Sequence, residues 1–131
     1  MAGVEMDLFS DDSKKHILIV DDNALTLRNI KKMLSDKYSV AVAVSAVQAL
    51  TSIGRKKPDL ILLDYAMPVT DGKQLYQMLH ADVQLAKIPV IFLTSMADKN
   101  VVMEILSLKP AGYFVKPPKQ NALLETIETI I

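Results

Sequence analysis

Short apolar runs alternate along the chain with segments in which apolar residues recur at helical spacing. The runs predict five strands, at residues 17–20, 39–44, 60–63, 90–93 and 112–115. The segments between them predict helices at about 23–35, 45–54 and 97–108, one helix that carries Leu75, Met78 and Leu79, and a last helix from Lys119 onward. The run at 90–93 is apolar throughout, as expected of a strand covered by helices on both faces.

Local signals refine the second and fourth helices. Ser45 to Gln48 predicts a capping box, in which the Ser hydroxyl and the Gln amide satisfy free N–H groups at the helix start. Gly54 predicts the end of that helix, because glycine readily adopts the left-handed conformation of a C-cap. The fourth helix is apolar around nearly its whole circumference, so we expect burial on more than one side. If its Met103 points into the core, the helix turns its opposite face outward.

The strict alternation of strands and helices with short loops predicts an α/β domain built on a doubly wound parallel sheet. Right-handed crossovers place helices on both faces of such a sheet. At 131 residues the chain fits one domain with a core of its own. We expect this domain to span residues 14–131 and the polar, acidic arm over residues 1–13 to be disordered.

Composition removes several classes of function. Fifteen basic residues balance fifteen acidic ones, so no net field attracts the chain to nucleic acid or to an anionic membrane. The chain has no cysteine, which excludes disulfides and thiolate metal sites and fits a cytoplasmic location. The most apolar stretches, 40–50 and 88–93, are too short to span a bilayer, and residues 1–12 lack the features of a signal peptide.

Acidic residues follow two of the predicted strands. Asp21 and Asp22 follow the first strand, and Asp64 follows the third. Because the C-terminal ends of neighbouring parallel strands converge on one crevice, we expect the three carboxylates to lie close together. Like charges at that distance cannot all stay ionised unless a cation joins them or a proton is bound. Thr94 and Lys116 follow the fourth and fifth strands and add a hydroxyl and an ammonium group to the crevice.

This set of groups suits the transfer of a phosphoryl group onto a carboxylate. Asp64 would be the nucleophile and would form an acyl phosphate. Asp21 and Asp22 can bind Mg²⁺, which takes oxygen ligands, while Lys116 and Thr94 can contact phosphoryl oxygens. The sequence contains no glycine-rich phosphate loop, no Ser-His-Asp order and no HExxH zinc motif.

Taken in order, these motifs resemble those of the receiver domain of response regulators in two-component signalling. They are Asp21-Asp22, the segment Asp64-Tyr-Ala-Met-Pro68 with Asp71-Gly72 behind it, Thr94, and Lys116-Pro117 with Tyr113 three residues before the lysine. The resemblance covers about residues 14–131. It implies a flavodoxin-like, doubly wound sheet of five parallel strands in the order 2-1-3-4-5, with five helices.

The resemblance also implies a role for each motif. Asp64 is the phosphoacceptor, and a histidine kinase or a histidine phosphotransfer protein is the donor. Thr94 and Lys116 contact the phosphoryl group, Thr94 and Tyr113 act as the switch, and the peptide bond before Pro117 is cis. The implied Mg²⁺ ligands, all oxygen donors, are Asp21, Asp22, Asp64 and the backbone carbonyl of Ala66.

Partner contacts are implied on the surface of the fourth helix, the fifth strand and the fifth helix. Val102 and Leu106 stand four residues apart on one helix face, beside Tyr113, and would contact an output domain or a second copy of the chain. The protein would then be a switch that catalyses its own phosphorylation and dephosphorylation, with no external metabolic substrate. No direct contact with nucleic acid or membrane is expected.

A few positions depart from the family pattern. Ala66, Ser95 and Met96 stand where other members often carry different residues, and such neighbours control the access of water to the acyl phosphate. The lifetime of the phosphoryl group is therefore left open. Lys109-Pro110-Ala111 replaces a common Gly-Ala loop before the fifth strand, which predicts a stiffer loop.

Plainer interpretations of the single residues stay open at this point. Asp21-Asp22 could cap the first helix, and Thr94 could cap the fourth. Asp64 could be an ordinary polar loop residue, and Lys116 could be solvated, as most lysines are.

Other functions stay open as well. A haloacid-dehalogenase-type phosphatase needs a DxDxT motif after the first strand. A flavodoxin-type binding protein needs a first loop rich in Ser, Thr and Gly. The sequence contains neither the motif nor the loop. A phosphorylation-independent pseudo-receiver would use the fold only as a docking module. No output domain follows the last helix, so the chain is either a stand-alone regulator or a receiver excised from a larger regulator or hybrid kinase.

Overall fold

The computed structural model describes residues 14–67, 71–96 and 98–131. Strands and helices alternate through these residues as β1 His16–Val20, α1 Ala24–Leu34, β2 Ser39–Ala43, α2 Ala46–Arg55, β3 Leu60–Asp64, α3 Gly72–His80, β4 Val90–Thr94, α4 Lys99–Ser107, β5 Gly112–Val115 and α5 Gln120–Ile130. The predicted disordered arm, the tip of the turn at 68–70 and the predicted start of the fourth helix at Ala97 lie outside the described residues. No helix in the described ranges is long and apolar enough to cross a bilayer.

The five strands form one parallel sheet in the order β2-β1-β3-β4-β5. Val20 pairs with Ala43 on one side and with Leu63 on the other, while Asp64 pairs with Leu93. The C-terminal ends of the central strands are therefore level with one another. The predicted doubly wound sheet and its strand order are confirmed.

Two apolar layers enclose the sheet, because successive side chains of each strand point to opposite faces. Leu18 and Val20 pack with α2, α3 and α4, whereas Ile17 and Ile19 pack with α1 and α5. Strands β1, β3 and β4 are buried along their whole length. Each large apolar side chain buried in this way contributes about 1.5–3 kcal/mol. This packing fixes the strand ends that carry the polar residues.

Polar side chains cap four of the five helices. The residues that cap α1, α2, α3 and α4 are Asn23, Ser45, Asp71 and Asp98. At α2 the predicted capping box forms, but one of its two hydrogen bonds is displaced by one residue. Ser45 Oγ accepts from the N–H of Gln48, whereas Gln48 Oε1 accepts from the N–H of Val44 instead of from that of Ser45. These caps satisfy free N–H groups and fix where each helix begins.

The predicted end of α2 at Gly54 is wrong. The helix continues to Arg55 and ends at Lys56, whose φ of −151° is extended, and no described glycine has a positive φ. Lys56 is already extended, and Pro58 disfavours helical backbone at Lys57, so the chain leaves the helix in an extended conformation rather than through a left-handed cap. The left-handed residue in the described ranges is Lys109, with φ 56°, just after α4.

The predicted burial of α4 on more than one side is also wrong. Val101, Ile105 and Leu108 form the stripe that faces the core, and of these only Ile105 is fully buried. Met103 lies two residues from both Val101 and Ile105, so it points away from the sheet and is 58% exposed. Leu106 is 52% exposed.

Candidate functional site

The three predicted carboxylates converge at the C-terminal edge of the sheet. Asp64 is the last residue of β3, and Asp21 follows β1, its N–H donating to Ala43 O at 3.0 Å. One carboxylate oxygen from each of Asp21, Asp22 and Asp64 lies within 4.8 Å of the others. Asp21 is 0% exposed and Asp64 is 3% exposed, whereas Asp22 faces solvent. Asp64 is therefore a buried member of the cluster rather than a loop residue.

The acidic pair does not cap α1. Asn23 occupies the N-cap, and its Oδ1 accepts from the N–H groups of Leu25 and Thr26 at 2.9 and 3.1 Å. The N–H of Asn23 in turn donates to Asp21 Oδ1 at 2.8 Å. The cap thus orients the buried carboxylate and leaves its second oxygen for other contacts.

Lys116 closes the cluster from the neighbouring loop. Its Nζ lies 2.7 Å from Asp21 Oδ2 and 3.2 Å from Asp64 Oδ1, and its side chain is mostly buried. Burial lowers the pKa of Lys116, but the hydrogen bond to Asp21 and the charge of Asp64 outweigh burial and raise the pKa above its ordinary value. Lys116 is therefore a protonated partner of two carboxylates and not a solvated lysine.

Electrostatics set Asp64 apart from an ordinary carboxylate. Burial and, second to it, the charge of Asp21 raise the pKa of Asp64 from 3.8 to about 6, although Lys116 and the N–H of Ala66 act in the opposite direction. That N–H donates to Asp64 Oδ1 at 3.4 Å. The cluster holds three carboxylates and one ammonium, so it lacks positive charge. A hard divalent cation with oxygen ligands fits this donor set.

Thr94 ends β4 beside the cluster and is 1% exposed. Its Oγ1 accepts from the N–H of Met96 at 3.0 Å and donates to Met96 O at 3.2 Å. The hydroxyl therefore closes a local turn. Thr94 is not the cap of α4, because Asp98 Oδ1 accepts from the N–H of Val101 at that helix start.

The remaining predicted residues lie on β5, on α4 and in the loop after β5. Tyr113 pairs with Phe92 in the sheet and packs, half-buried, against the core layer that contains Phe92. The peptide bond between Lys116 and Pro117 is cis. On α4, Val102 is half-buried and Leu106 is exposed.

A cleft of about 460 Å³ opens beside the carboxylate cluster. Lys116 lines it together with Thr26 and Met33 of α1 and the two prolines of the loop after β5. Because Lys116 also contacts Asp21 and Asp64, the cleft adjoins the site. No pattern in the sequence predicts this concave surface, which depends on how α1 packs beside the loop.

Gly72 has a structural role that the sequence pattern did not reveal. Its N–H donates to Tyr65 O at 3.0 Å, and a Cβ at this position would stand 2.0 Å from Asp64 O. Only glycine allows the start of α3 to approach the end of β3 so closely. One signal for this close approach was available in the sequence. Glycine is less favoured at the first position of a helix than just after its end, so a glycine at that position suggests a special role.

Comparisons with known proteins agree with this architecture. The family model of the response regulator receiver domain matches residues 17–128. Hybrid signal transduction histidine kinase D of Dictyostelium discoideum is 30% identical over 119 residues, which are 91% of this chain and 8% of that protein. Two-component response regulator-like APRR1 of Arabidopsis thaliana is 32% identical over 121 residues, which are 90% of this chain and 20% of that protein.

A solved structure gives the same result for the fold. Chemotaxis protein CheY4 of Vibrio cholerae matches with a TM-score of 0.82 and 25% identity, over 90% of this chain and 99% of that one. The chain spans only a small part of the two curated relatives above. The family match runs from the second residue of β1 almost to the end of α5 and so includes every described strand. The resemblance drawn from the motifs is confirmed, and the chain belongs to the response regulator receiver domain family.

Proposed function

We propose that the protein is a phosphoacceptor in a two-component phosphorelay and that Asp64 receives the phosphoryl group. The donor is the phosphohistidine of a histidine kinase or of a histidine phosphotransfer protein. One observation carries the proposal: the buried Asp64 carboxylate lies 3.2 Å from the Lys116 ammonium inside a cluster of three carboxylates. The cleft beside Lys116 offers a surface on which the donor can dock.

In the proposed transfer, a carboxylate oxygen of Asp64 attacks the phosphorus atom of the donor. The O–P bond forms as the N–P bond breaks, and the electron pair of the N–P bond stays on the imidazole nitrogen. The carboxylate must be ionised to attack, and a pKa of about 6 leaves most Asp64 side chains ionised above that pH. Attack of water on the same phosphorus atom later restores the carboxylate and releases inorganic phosphate.

The residues of the cluster fit Mg²⁺. Asp21, Asp22 and Asp64 would hold the ion with carboxylate oxygens, and the backbone carbonyl of Ala66 completes the proposed set. Bound there, Mg²⁺ would supply positive charge to the oxygens of the transferring group. Lys116 would supply a second positive charge, through an ammonium already held by Asp21.

Switching would start at Thr94. In the described state its hydroxyl is bound to the backbone of Met96. A phosphoryl oxygen on Asp64 is a stronger acceptor than a neutral carbonyl, so the hydroxyl would exchange Met96 for the phosphoryl group. Tyr113 would follow this movement, and the surface of α4, β5 and α5 with Val102 and Leu106 would present the new state to a second copy or an output domain.

The protein would act in the cytoplasm as a signalling switch with no external metabolic substrate. Its catalysis would be limited to its own phosphorylation and dephosphorylation. No DNA or RNA contact is part of the proposal, because the net charge is zero. The activities of any larger protein that contains this domain are not part of it either.

Two-dimensional NMR with BeF₃⁻, an analogue of the phosphoryl group, tests the proposal. We expect BeF₃⁻ with Mg²⁺ to shift the amide signals of Asp22, Thr94 and Lys116, and either component alone to have a weaker effect. Asp64→Asn should abolish the response, whereas Asp36→Asn, which alters an exposed carboxylate outside the cluster, should retain it. An absent response in the wild type would leave the fold as a docking module and exclude the phosphoacceptor role.

A further inference from the structure

The two edges of the sheet carry charges of opposite sign. Because all five strands are parallel, the segments that lead into them lie together at one edge of the sheet, which we call the entry edge. The entry edge consists of residues 14–15, 35–38, 56–59, 81–89 and 108–111. It contains seven basic residues and three acidic ones, whereas the opposite edge carries the carboxylate cluster. The zero net charge of the chain conceals this separation.

The entry edge is level and continuous. Neighbouring strands begin within one residue of each other in the register of the sheet. Lys15 and Lys37 line one concave surface of about 340 Å³, and Lys57 lines another, of about 370 Å³, between the segments before β3 and β4. The N–H of His16 donates to Asp59 Oδ2 at 2.7 Å and so joins the segments before β1 and β3. The basic residues therefore belong to one surface rather than to scattered points.

Three ammonium groups of the entry edge are available to an outside anion. Lys57, Lys87 and Lys109 are exposed, and no described residue binds their ammonium groups. Lys37 differs from them because it pairs with Glu128. The carboxylate cluster lies at the far end of five-residue strands, roughly 15 Å away. This distance exceeds the Debye length of about 8 Å at physiological ionic strength, so salt screens most of the cluster's effect on an anion at the entry edge.

One exposed apolar side chain distinguishes the entry edge from a purely electrostatic surface. Val83, in the segment before β4, is 83% exposed, more than any other large apolar side chain among the described residues. A bilayer offers anionic headgroups with an apolar layer beneath them, and its surface is as level as the entry edge. A nucleic acid would instead favour exposed aromatic rings on which its bases stack. The one aromatic residue in the entry segments, Tyr38, is buried.

We propose that the entry edge binds the surface of a bilayer that contains anionic lipids. The basic residues lie against the headgroups, Val83 enters the apolar layer beneath them, and the carboxylate cluster faces away from the bilayer. The same surface repels the acidic edge, so attraction and repulsion together orient the domain. This proposal departs from the expectation of no membrane contact, which rests on the net charge of the whole chain. Binding in this orientation leaves the carboxylate cluster open to solution.

Cosedimentation of the full chain with vesicles tests the proposal. Residues 1–13 carry four acidic side chains, so the full chain is the stringent form for this test. We expect it to bind vesicles of phosphatidylcholine with phosphatidylserine but not vesicles of phosphatidylcholine alone, and added salt should weaken the binding. Lys57→Gln combined with Lys87→Gln should weaken it about thirtyfold, because each basic residue at an anionic surface contributes roughly a factor of five. Val83→Ser should weaken it about tenfold.

A matched variant and a spin-labelled lipid test the position and the orientation of the contact. Lys99→Gln combined with Lys119→Gln removes two exposed basic residues at the opposite edge and should bind the vesicles as the wild type does. In two-dimensional NMR with a spin-labelled lipid in the vesicles, the amide signals of Lys57 and Val83 should broaden. The signal of Thr94, at the opposite edge, should keep its width. Equal broadening at both edges would exclude the proposed orientation.

The remaining outcomes decide against a lipid partner. A wild type that binds neither kind of vesicle, or an equal loss of binding in the two double variants, overturns the proposal. If a short RNA or polyglutamate binds the entry edge more tightly than the vesicles do, and Val83→Ser binds the vesicles as the wild type does, the edge serves another polyanion and the lipid assignment is wrong. Asp64→Asn should bind the vesicles as the wild type does, so this result is independent of the phosphoacceptor role.

Discussion

Replacing Asp64 with Asn should stabilise the metal-free protein at neutral pH. The folded protein raises the pKa of Asp64 from 3.8 to about 6, so ionised Asp64 opposes folding. Each pKa unit corresponds to about 1.4 kcal/mol, and a shift of roughly two units gives an upper limit of about 3 kcal/mol. Asn keeps the size of the side chain but removes the charge, and Lys116 loses one of its two carboxylate partners. The expected gain is about 1–3 kcal/mol.

The sign of the pH dependence follows from the direction of the shift. Between pH 3.8 and about 6 the folded state binds the Asp64 proton and the unfolded state does not. The stability that Asp64 contributes is therefore complete below pH 3.8 and is lost as the pH rises toward and past 6. The advantage of Asp64→Asn should be small at pH 4, should grow through pH 6 and should be constant above pH 7.

Urea unfolding without Mg²⁺, at several pH values between 4 and 8, measures this advantage. Asp36→Asn serves as the matched control, because the side chain is exposed and lies outside the cluster, and surface changes of this kind have effects within about 0.5 kcal/mol. Saturating Mg²⁺ should remove most or all of this advantage, because the wild type offers the ion one carboxylate more than the variant does, and a ligand at a hundred times its Kd stabilises a folded protein by about 2.7 kcal/mol. An Asn variant that is no more stable than the wild type at pH 7.5, or an advantage independent of pH, would refute the reasoning.

Three further predictions test the site and its surroundings. Gly72→Ala should destabilise the fold by more than about 3 kcal/mol, because its Cβ would stand 2.0 Å from a carbonyl oxygen of β3. Gly54→Ala is the control: it has open space around it in a helix and should stabilise the fold by about 0.5–1 kcal/mol. Similar urea midpoints for the two variants would contradict the role of Gly72. Lys116→Met should slow labelling by acetyl phosphate roughly a hundredfold, and undiminished labelling would contradict the role of the ammonium. Val102→Ser combined with Leu106→Ser should leave labelling intact but weaken self-association or partner binding in sedimentation experiments, where unchanged binding would exclude this surface.

The acidic cluster could be predicted because it depends only on which runs form strands and on how those strands pair. Once the apolar runs are assigned to parallel strands, the register follows from their shared buried faces, and Asp21 and Asp64 must meet at the same edge. Lys116 follows from the same argument on β5. The sequence does not determine the rotamer of Thr94, because its hydroxyl can bond either to the backbone of Met96 or to a group at the edge of the sheet.

The errors of the sequence analysis concern features that depend on how elements pack. Gly54 has the right chemistry for a left-handed cap, but the helix continues past it to Arg55 and ends at Lys56 in an extended conformation. Met103 is apolar like its neighbours, and only the orientation of α4 on the sheet decides that it faces solvent.

Intact mass measurement after incubation with acetyl phosphate tests the central claim most directly. The wild type should gain the mass of one phosphoryl group in the presence of Mg²⁺, lose it over time, and gain none after Mg²⁺ is removed with EDTA. Asp64→Asn should gain none in any condition, while Asp36→Asn should behave as the wild type. Labelling of Asp64→Asn, or a wild type that stays unlabelled with Mg²⁺ present, would contradict the assignment of Asp64 as the phosphoacceptor.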